Sequence, residues 1–265
     1  EALNQAWVKN VVLCIRDQDV GPEQFLRLAA IFGTPVQQPI RRKEYEVEGF
    51  PELRVLSSQH IDTYGDRKPL LTGGSWHTDH SHLPDPPWGT MLHALALPSR
   101  GGATSFINQA AAYEGLPLSL KGKVDGLVAH HVYLSKHSKR RLQAMTVEEV
   151  AAAPSARHPL VQPHPVTGRL ALYFNPIRIE RFDGLGEEES QALLEELIVH
   201  CEQDHFVYRH HWRLGDVLLW DNRQSLHMVT HDYPAEEHRL MHRTLVGSAA
   251  LAASMREANA GKHVV

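Results

Sequence analysis

Cysteine is nearly absent from this chain. Only Cys14 and Cys201 occur among 265 residues, with no short spacing between them. That argues against a disulfide scaffold and against a zinc site built on thiolates, and it is the usage of a reducing compartment, so a cytoplasmic location is expected. No apolar run approaches the roughly 20 residues needed to span a membrane, and no membrane partner is expected. Neither sign of charge dominates: 27 Lys and Arg stand against 31 Asp and Glu, for a net charge of -4. The overall balance does not suggest the broad basic surface of a nucleic-acid binder, and no nucleic-acid partner is expected. An initiator Met, a basic leader and a signal-like apolar core are also missing. The chain opens on EALNQAWVKN, which reads as part of a helix, so the natural N-terminus is expected to lie upstream.

What is present is a sufficient apolar fraction, 42%, and short strand-like runs separated by turn residues. VVLCI, LRVLSS, WGTMLHALAL, ATSFIN, LVAHHVYL, FVYRHHW, DVLLW, SLHMV and RLMHRTLVG read as strands. PLVQPHP and RLALYFNP flank the turn VTGR as a hairpin. Helices are expected after the opening one at PEQFLRLAAIFG, where Pro suits the first turn, around Ala110–Tyr113 and Leu118–Lys123, and at EEESQALLEELIVHCEQ. Residues 61–74 read as a long loop suited to covering a site, residues 137–158 as a charged, Ala-rich insertion outside the core, and the tail after Ala249 as a segment with little to bury. Strands dominate, no repeat or linker divides the chain, and the last fifth lacks strand–helix alternation. The expectation is one domain over residues 1–265, mainly β with helical decorations: a jelly-roll barrel, or double-stranded β-helix. Homo-oligomerisation is compatible with the sequence but not specified by it.

Histidine is the compositional oddity, with 19 residues, and three fall in SWHTDHSH, Ser75 to His82. In an extended segment side chains alternate between faces. His77 and Asp79 then share one side, while His80 and His82 point to the other. A His-X-Asp pair supplies one neutral nitrogen and one anionic oxygen, two thirds of the 2-His-1-carboxylate triad that leaves open positions on non-haem Fe(II). The second histidine must come from elsewhere. The same ligand types suit zinc and hydrolysis, so a zinc-dependent hydrolase, or a non-catalytic barrel binding a small acid, are the competing readings.

The surroundings of the cluster, SWHTDHSHLPDPPWGTMLHALALPSRGGATSFINQAAAYEGLP, together with PHPVTGRLALYFN, GDVLLWDNRQSLHMV and RLMHRTLVG, resemble the TauD/TfdA (taurine dioxygenase/aryloxyalkanoate dioxygenase) family. The resemblance runs from about Trp7 to Gly247. It implies an enzyme that uses Fe(II), 2-oxoglutarate and O₂ to oxidise a C–H bond of a small organic acid, most simply by hydroxylation, with succinate and CO₂ as coproducts. By the same resemblance the metal ligands are His77, Asp79 and His227. The halogenases related to this family have a small residue in place of the carboxylate, so Asp79 favours an oxygenase. Trp220, Asp221, Asn222 and Arg223 are expected to pack and hydrogen-bond near the third ligand.

The resemblance assigns Arg239 and Thr104 to the distal carboxylate of 2-oxoglutarate, and Arg243 to the anionic group of the substrate. Strand parity puts Arg239, Met241 and Arg243 on one face, with the two arginines far enough apart for two anion sites. Taurine itself is disfavoured. Gln38, Arg41 and Gly73 stand where the taurine enzymes carry His, Tyr and Asn, and Gln38 and Arg41 are expected to shape selectivity for a different small acid.

Overall fold

The computed structural model describes residues 1–38, 45–60, 73–133, 135–137 and 154–260. Its main sheet contains β1 (Val12–Ile15), β12 (Val217–Asp221), β4 (Gly89–Ala96), β14 (Leu240–Gly247) and β2 (Thr34–Val36) in that order, and β3 (Arg54–Ser57) also pairs with β14. A smaller sheet runs β11 (Val207–His210), β5 (Thr104–Asn108), β13 (Ser225–Val229). A third contains β10 (Ile179–Phe182), β6 (Val128–Val132) and β7 (Ser155–Pro159), and β8 (Val161–Pro163) forms a hairpin with β9 (Leu170–Leu172).

Side-chain alternation explains how the two larger sheets become a barrel. On β12, Leu218 and Trp220 face inward, where they meet Leu92, Ala94, Phe106 and Met241 from the facing strands. Val217 and Leu219 face outward onto Trp7 and Val8 of α1 (Ala2–Asn10) and Phe25 and Ala29 of α2 (Pro22–Ala29). Both faces are covered, so DVLLW reads as a continuous apolar run instead of an alternating one. The smaller sheet behaves alike. Phe106 points into the barrel, while Ile107 and Leu226 point out beneath α3 (Gln109–Glu114), α4 (Leu118–Val124) and α5 (Glu187–Cys201), whose Leu193, Leu194 and Leu197 complete a second core. The architecture is the expected one: mainly β, with helices decorating a jelly roll.

Several local expectations are corrected. The tail is not idle, because α6 (Ala249–Ala260) buries Leu251, Ala252 and Met255 against Val36 and Leu245. Its apolar residues are few, but the rim they cover is apolar on that side. Within the supposed insertion, Ser155–Pro159 is a strand paired with β6, with Ala156 and His158 buried; residues 138–153 lie outside the described residues. The short strands β2 and β10 carry too little pattern to stand out in sequence. The helix starting at Pro22 stops at Ala29, before Gly33.

Gly89 opens β4 opposite Asp221 on β12 and Val246 on β14. A Cβ there would lie 2.7 Å from Trp7 Cζ2 and 3.0 Å from the Trp220 carbonyl oxygen. Gly89→Ala is therefore expected to destabilise the fold by about 1–3 kcal/mol through overpacking. Urea unfolding checks this, and an unchanged midpoint contradicts it.

Candidate active site

His227 takes its position from β13. It lies opposite Phe106 in the register with β5 and shares that inward face. His77 is brought to it by a single antiparallel bridge: His77 N donates to His227 O at 3.0 Å, and His227 N to His77 O at 2.8 Å. The strand character ends there. From Asp79 the chain turns, with His80 at a positive φ of 52°, so Asp79 reaches the site from a turn and not from the extended segment assumed from parity. The grouping that parity suggested is nevertheless the one observed. One ligand atom each of His77, Asp79 and His227 lies within 4.8 Å of the others, and His80 and His82 are not part of this cluster.

The chemistry of this cluster suits a divalent cation. His77 Nδ1 is 2.7 Å from the Ser75 carbonyl oxygen. A carbonyl only accepts, so Nδ1 carries the hydrogen and Nε2 keeps its lone pair for a ligand. Burial, reinforced by His77, holds the His227 imidazole well below its ordinary pKa, hence neutral. Burial alone would push the Asp79 carboxyl up, but the Arg243 guanidinium holds it well below the usual range. Arg243 Nη2 is 2.7 Å from Asp79 Oδ1. The other oxygen accepts from Thr90 Oγ1 at 2.6 Å, and Thr90 Oγ1 accepts in turn from Asn222 Nδ2 at 3.0 Å. Two imidazole nitrogens and one fixed anionic oxygen fit an iron site.

The WDNR segment acts as sequence suggested. The Trp220 ring lies 4.6 Å from that of His227. Asp221 is fully buried and binds Arg223 at 2.7 Å and His164 Nε2 at 2.9 Å. Thr90, Asn175 and His164 were missed in sequence. Asn175 Nδ2 pins the ligand turn by donating to Thr78 O at 2.7 Å and Ser81 Oγ at 2.9 Å. All three lie in segments that carry the family resemblance, but the partner each one holds appears only in the fold.

Arg239 and Thr104 form a second polar centre. Arg239 is anchored just ahead of β14, its N donating to Ser58 Oγ and its O accepting from Ser58 N, and its guanidinium carbon lies 5.8 Å from the Trp212 ring centroid. Trp212 Nε1 donates to Thr104 Oγ1 at 3.0 Å. Burial lowers the Arg239 pKa to about 10, which leaves it cationic near neutrality. Its Nε and Nη2 are buried with no partner among the described residues. Gly102, with φ at 70°, lets the chain pass close, since a Cβ would meet Arg239 Cδ at 3.3 Å. Arg243 differs from expectation in detail. Its guanidinium sits on Asp79 and receives Gln38 Oε1 as a 3.1 Å acceptor, so it belongs to the metal-ligand network. Gln38 is buried, and Arg41 lies outside the described residues.

The family model described as "Taurine catabolism dioxygenase TauD, TfdA family" matches residues 1–245. The chain belongs to this family. Its relatives include the (S)-phenoxypropionate/alpha-ketoglutarate-dioxygenase of Sphingobium herbicidovorans, 30% identical over 94% of this chain and 86% of that protein. The alpha-ketoglutarate-dependent 2,4-dichlorophenoxyacetate dioxygenase of Cupriavidus pinatubonensis is 32% identical over 82% of this chain and 77% of that one. Among solved structures, AAD-2 in complex with Mn(II) and N-oxalylglycine superposes with a TM-score of 0.77 at 29% identity, covering 94% of this chain and 86% of that one. A taurine dioxygenase from Burkholderia xenovorans gives 0.73 at 30% identity, over 92% and 79%. As a family member the chain is an iron- and 2-oxoglutarate-dependent dioxygenase, which sets aside the hydrolase and the non-catalytic barrel. No helix among the described residues is long and apolar enough to cross a membrane.

Thr90→Val removes the donor to Asp79 Oδ2 and the acceptor for Asn222 while leaving all three candidate ligands in place. The affinity for a divalent cation is expected to fall roughly 10–100-fold, the usual cost of losing a group that orients a metal ligand. Anaerobic metal titration checks this, and wild-type affinity in the variant contradicts it.

Proposed function

We propose that this chain, as one dioxygenase domain, holds Fe(II) through His77, Asp79 and His227, binds 2-oxoglutarate through Arg239 and Thr104, and oxidises a small organic acid whose anionic group pairs with Arg243. The observation that carries the reading is the Arg239 guanidinium: cationic, buried, and with Nε and Nη2 unpaired. Leaving such a group unmatched costs several kcal/mol unless an anion completes it. A carboxylate gives bidentate charge-assisted bonds of the kind a guanidinium favours. Thr104 Oγ1 already accepts from Trp212 and keeps its own hydrogen to donate to that carboxylate.

When bound, the iron and 2-oxoglutarate supply the oxidising chemistry, in which O₂ and 2-oxoglutarate yield succinate, CO₂ and an oxidised substrate. The chain's own residues bind and orient. His227, held neutral by burial, and His77, turned by its Nδ1 contact to Ser75, would hold the metal through ring nitrogens, and Thr90 fixes the Asp79 carboxylate. Arg243 pairs with Asp79 at 2.7 Å; with Asp79 holding a metal, its guanidinium would be available to a substrate anion. Gln38 orients it through Oε1 and keeps a buried Nε2 without a partner among the described residues. Gln38 and Arg41 then shape selectivity. The names of the relatives, which act on phenoxypropionate and 2,4-dichlorophenoxyacetate, support an aryloxyalkanoate-like acid as the substrate class. The two free cysteines are in keeping with a cytoplasmic enzyme.

The test is 2-oxoglutarate turnover to succinate across a panel of aryloxyalkanoates, sulfonates and neutral analogues. Arg239→Ala is expected to weaken 2-oxoglutarate by about 2–4 kcal/mol, roughly 30- to 1000-fold, and Thr104→Val by about 1 kcal/mol. Arg243→Ala is expected to weaken metal binding and, at saturating metal, to release succinate without matching oxidised acid. Unchanged 2-oxoglutarate dependence in Arg239→Ala, or neutral analogues coupling as well as acids in the wild type, would overturn the assignment.

A further inference from the structure

The barrel has a seam where β1, an edge of the main sheet, runs near β11, an edge of the smaller one. A cleft of about 240 Å³ opens there, lined by Val12, Cys14, Phe106, Asn108, Phe206 and Tyr208. Behind it lie His210 and Asp216, both fully buried. One ligand atom each of Cys14, His210 and Asp216 lies within 4.8 Å of the others. We propose that these three side chains form a second cation site, separate from the His77–Asp79–His227 cluster and selective for a zinc-like divalent ion.

The donors are a sulfur, an imidazole nitrogen and a carboxylate oxygen, a set that favours zinc or cobalt over the hard cations. Their surroundings are arranged for ligation. Tyr208 Oη holds His210 Nδ1 at 3.0 Å, which turns Nε2 toward Asp216 Oδ2, also at 3.0 Å. At this distance His210 Nε2 and Asp216 Oδ2 share a hydrogen, and a divalent ion bound by both would take its place. Asp216 Oδ2 is further occupied by Arg16 Nη1 at 2.6 Å and by the Arg213 amide at 2.8 Å. Its Oδ1 is buried without a partner among the described residues, a polar atom that the fold leaves for a ligand. Burial, then the Asp216 charge, pushes the Cys14 thiol up. A divalent ion would reverse that balance by binding both anionic groups at once. With three protein ligands, the cleft leaves the fourth position to water or another small ligand. The site adjoins the cosubstrate pocket: His210 is the cross-strand partner of Thr104, and its ring lies 4.7 Å from that of Trp212.

The experiment is an anaerobic titration of the metal-depleted full chain with Co(II), read in the near-ultraviolet, where thiolate-to-cobalt charge transfer absorbs. The His77–Asp79–His227 cluster has no sulfur and cannot give this band. One equivalent of sulfur-bound cobalt is expected. It should persist in Asp79→Ala, vanish in Cys14→Ser, and weaken roughly 10–100-fold in affinity in Tyr208→Phe, which removes only the group orienting His210. Zn(II) should slow modification of Cys14 by a thiol reagent at least about tenfold, on the view that the bound thiolate is not free to react. Absence of the band in folded wild type, its survival in Cys14→Ser, or a thiol that Zn(II) leaves equally reactive would each overturn the proposal.

Discussion

The ion pair between Asp79 and Arg243, 2.7 Å apart inside the barrel, is the contact on which the arrangement of the site depends. An ionised carboxylate removed from water costs several kcal/mol unless charge and hydrogen bonds compensate it. Here Arg243 supplies the charge, while Thr90, itself held by Asn222, supplies the hydrogen bond. Compensation from two sides keeps the oxygens oriented as well as ionised. Breaking one side would leave the carboxylate both mobile and undercompensated, so in the proposed reading Arg243 serves the metal ligand as well as the substrate.

The fold delivers these groups from separate elements. Thr90 comes from β4 and Arg243 from its neighbour β14, where Arg243 lies opposite Leu92. Asn222 follows β12, and His227 sits on β13 in the smaller sheet. Each inward residue is matched by an outward one buried under a helix, so a slip of one position would exchange polar site residues for core residues. Register is thereby fixed by the same apolar surface that stabilises the barrel. The Arg239–Trp212–Thr104 centre depends on the same sheets, with Thr104 on β5 and Arg239 tied to Ser58 beyond β3.

Much of this was legible in the sequence because the signals were local. The strands DVLLW and SLHMV and the His-X-Asp pair could be read directly, and the inward set Met241 and Arg243 followed from parity along RLMHRTLVG. Parity succeeded for His77 and Asp79 for a reason other than the one assumed, since a turn carries Asp79 inward. What sequence could not show were contacts made by ordinary residues across long separations. Thr90 on Asp79, Asn175 on Thr78 and His164 on Asp221 are 11, 97 and 57 positions apart, and although their flanks belong to the quoted motifs, nothing there says which group each would hold. The tail helix was missed because its few apolar residues gain meaning only from the rim formed by Val36 and Leu245.

The central claim is that one divalent cation is held at Asp79 between His77 and His227. Mn(II), a hard ion poorly suited to a thiolate site, allows this centre to be counted alone. Electron paramagnetic resonance of free Mn(II), during anaerobic titration of the protein with 2-oxoglutarate present, gives the bound fraction directly. The account predicts one Mn(II) per chain in the wild type and loss of that binding in Asp79→Ala. Retention of one tightly bound Mn(II) in folded Asp79→Ala would contradict it.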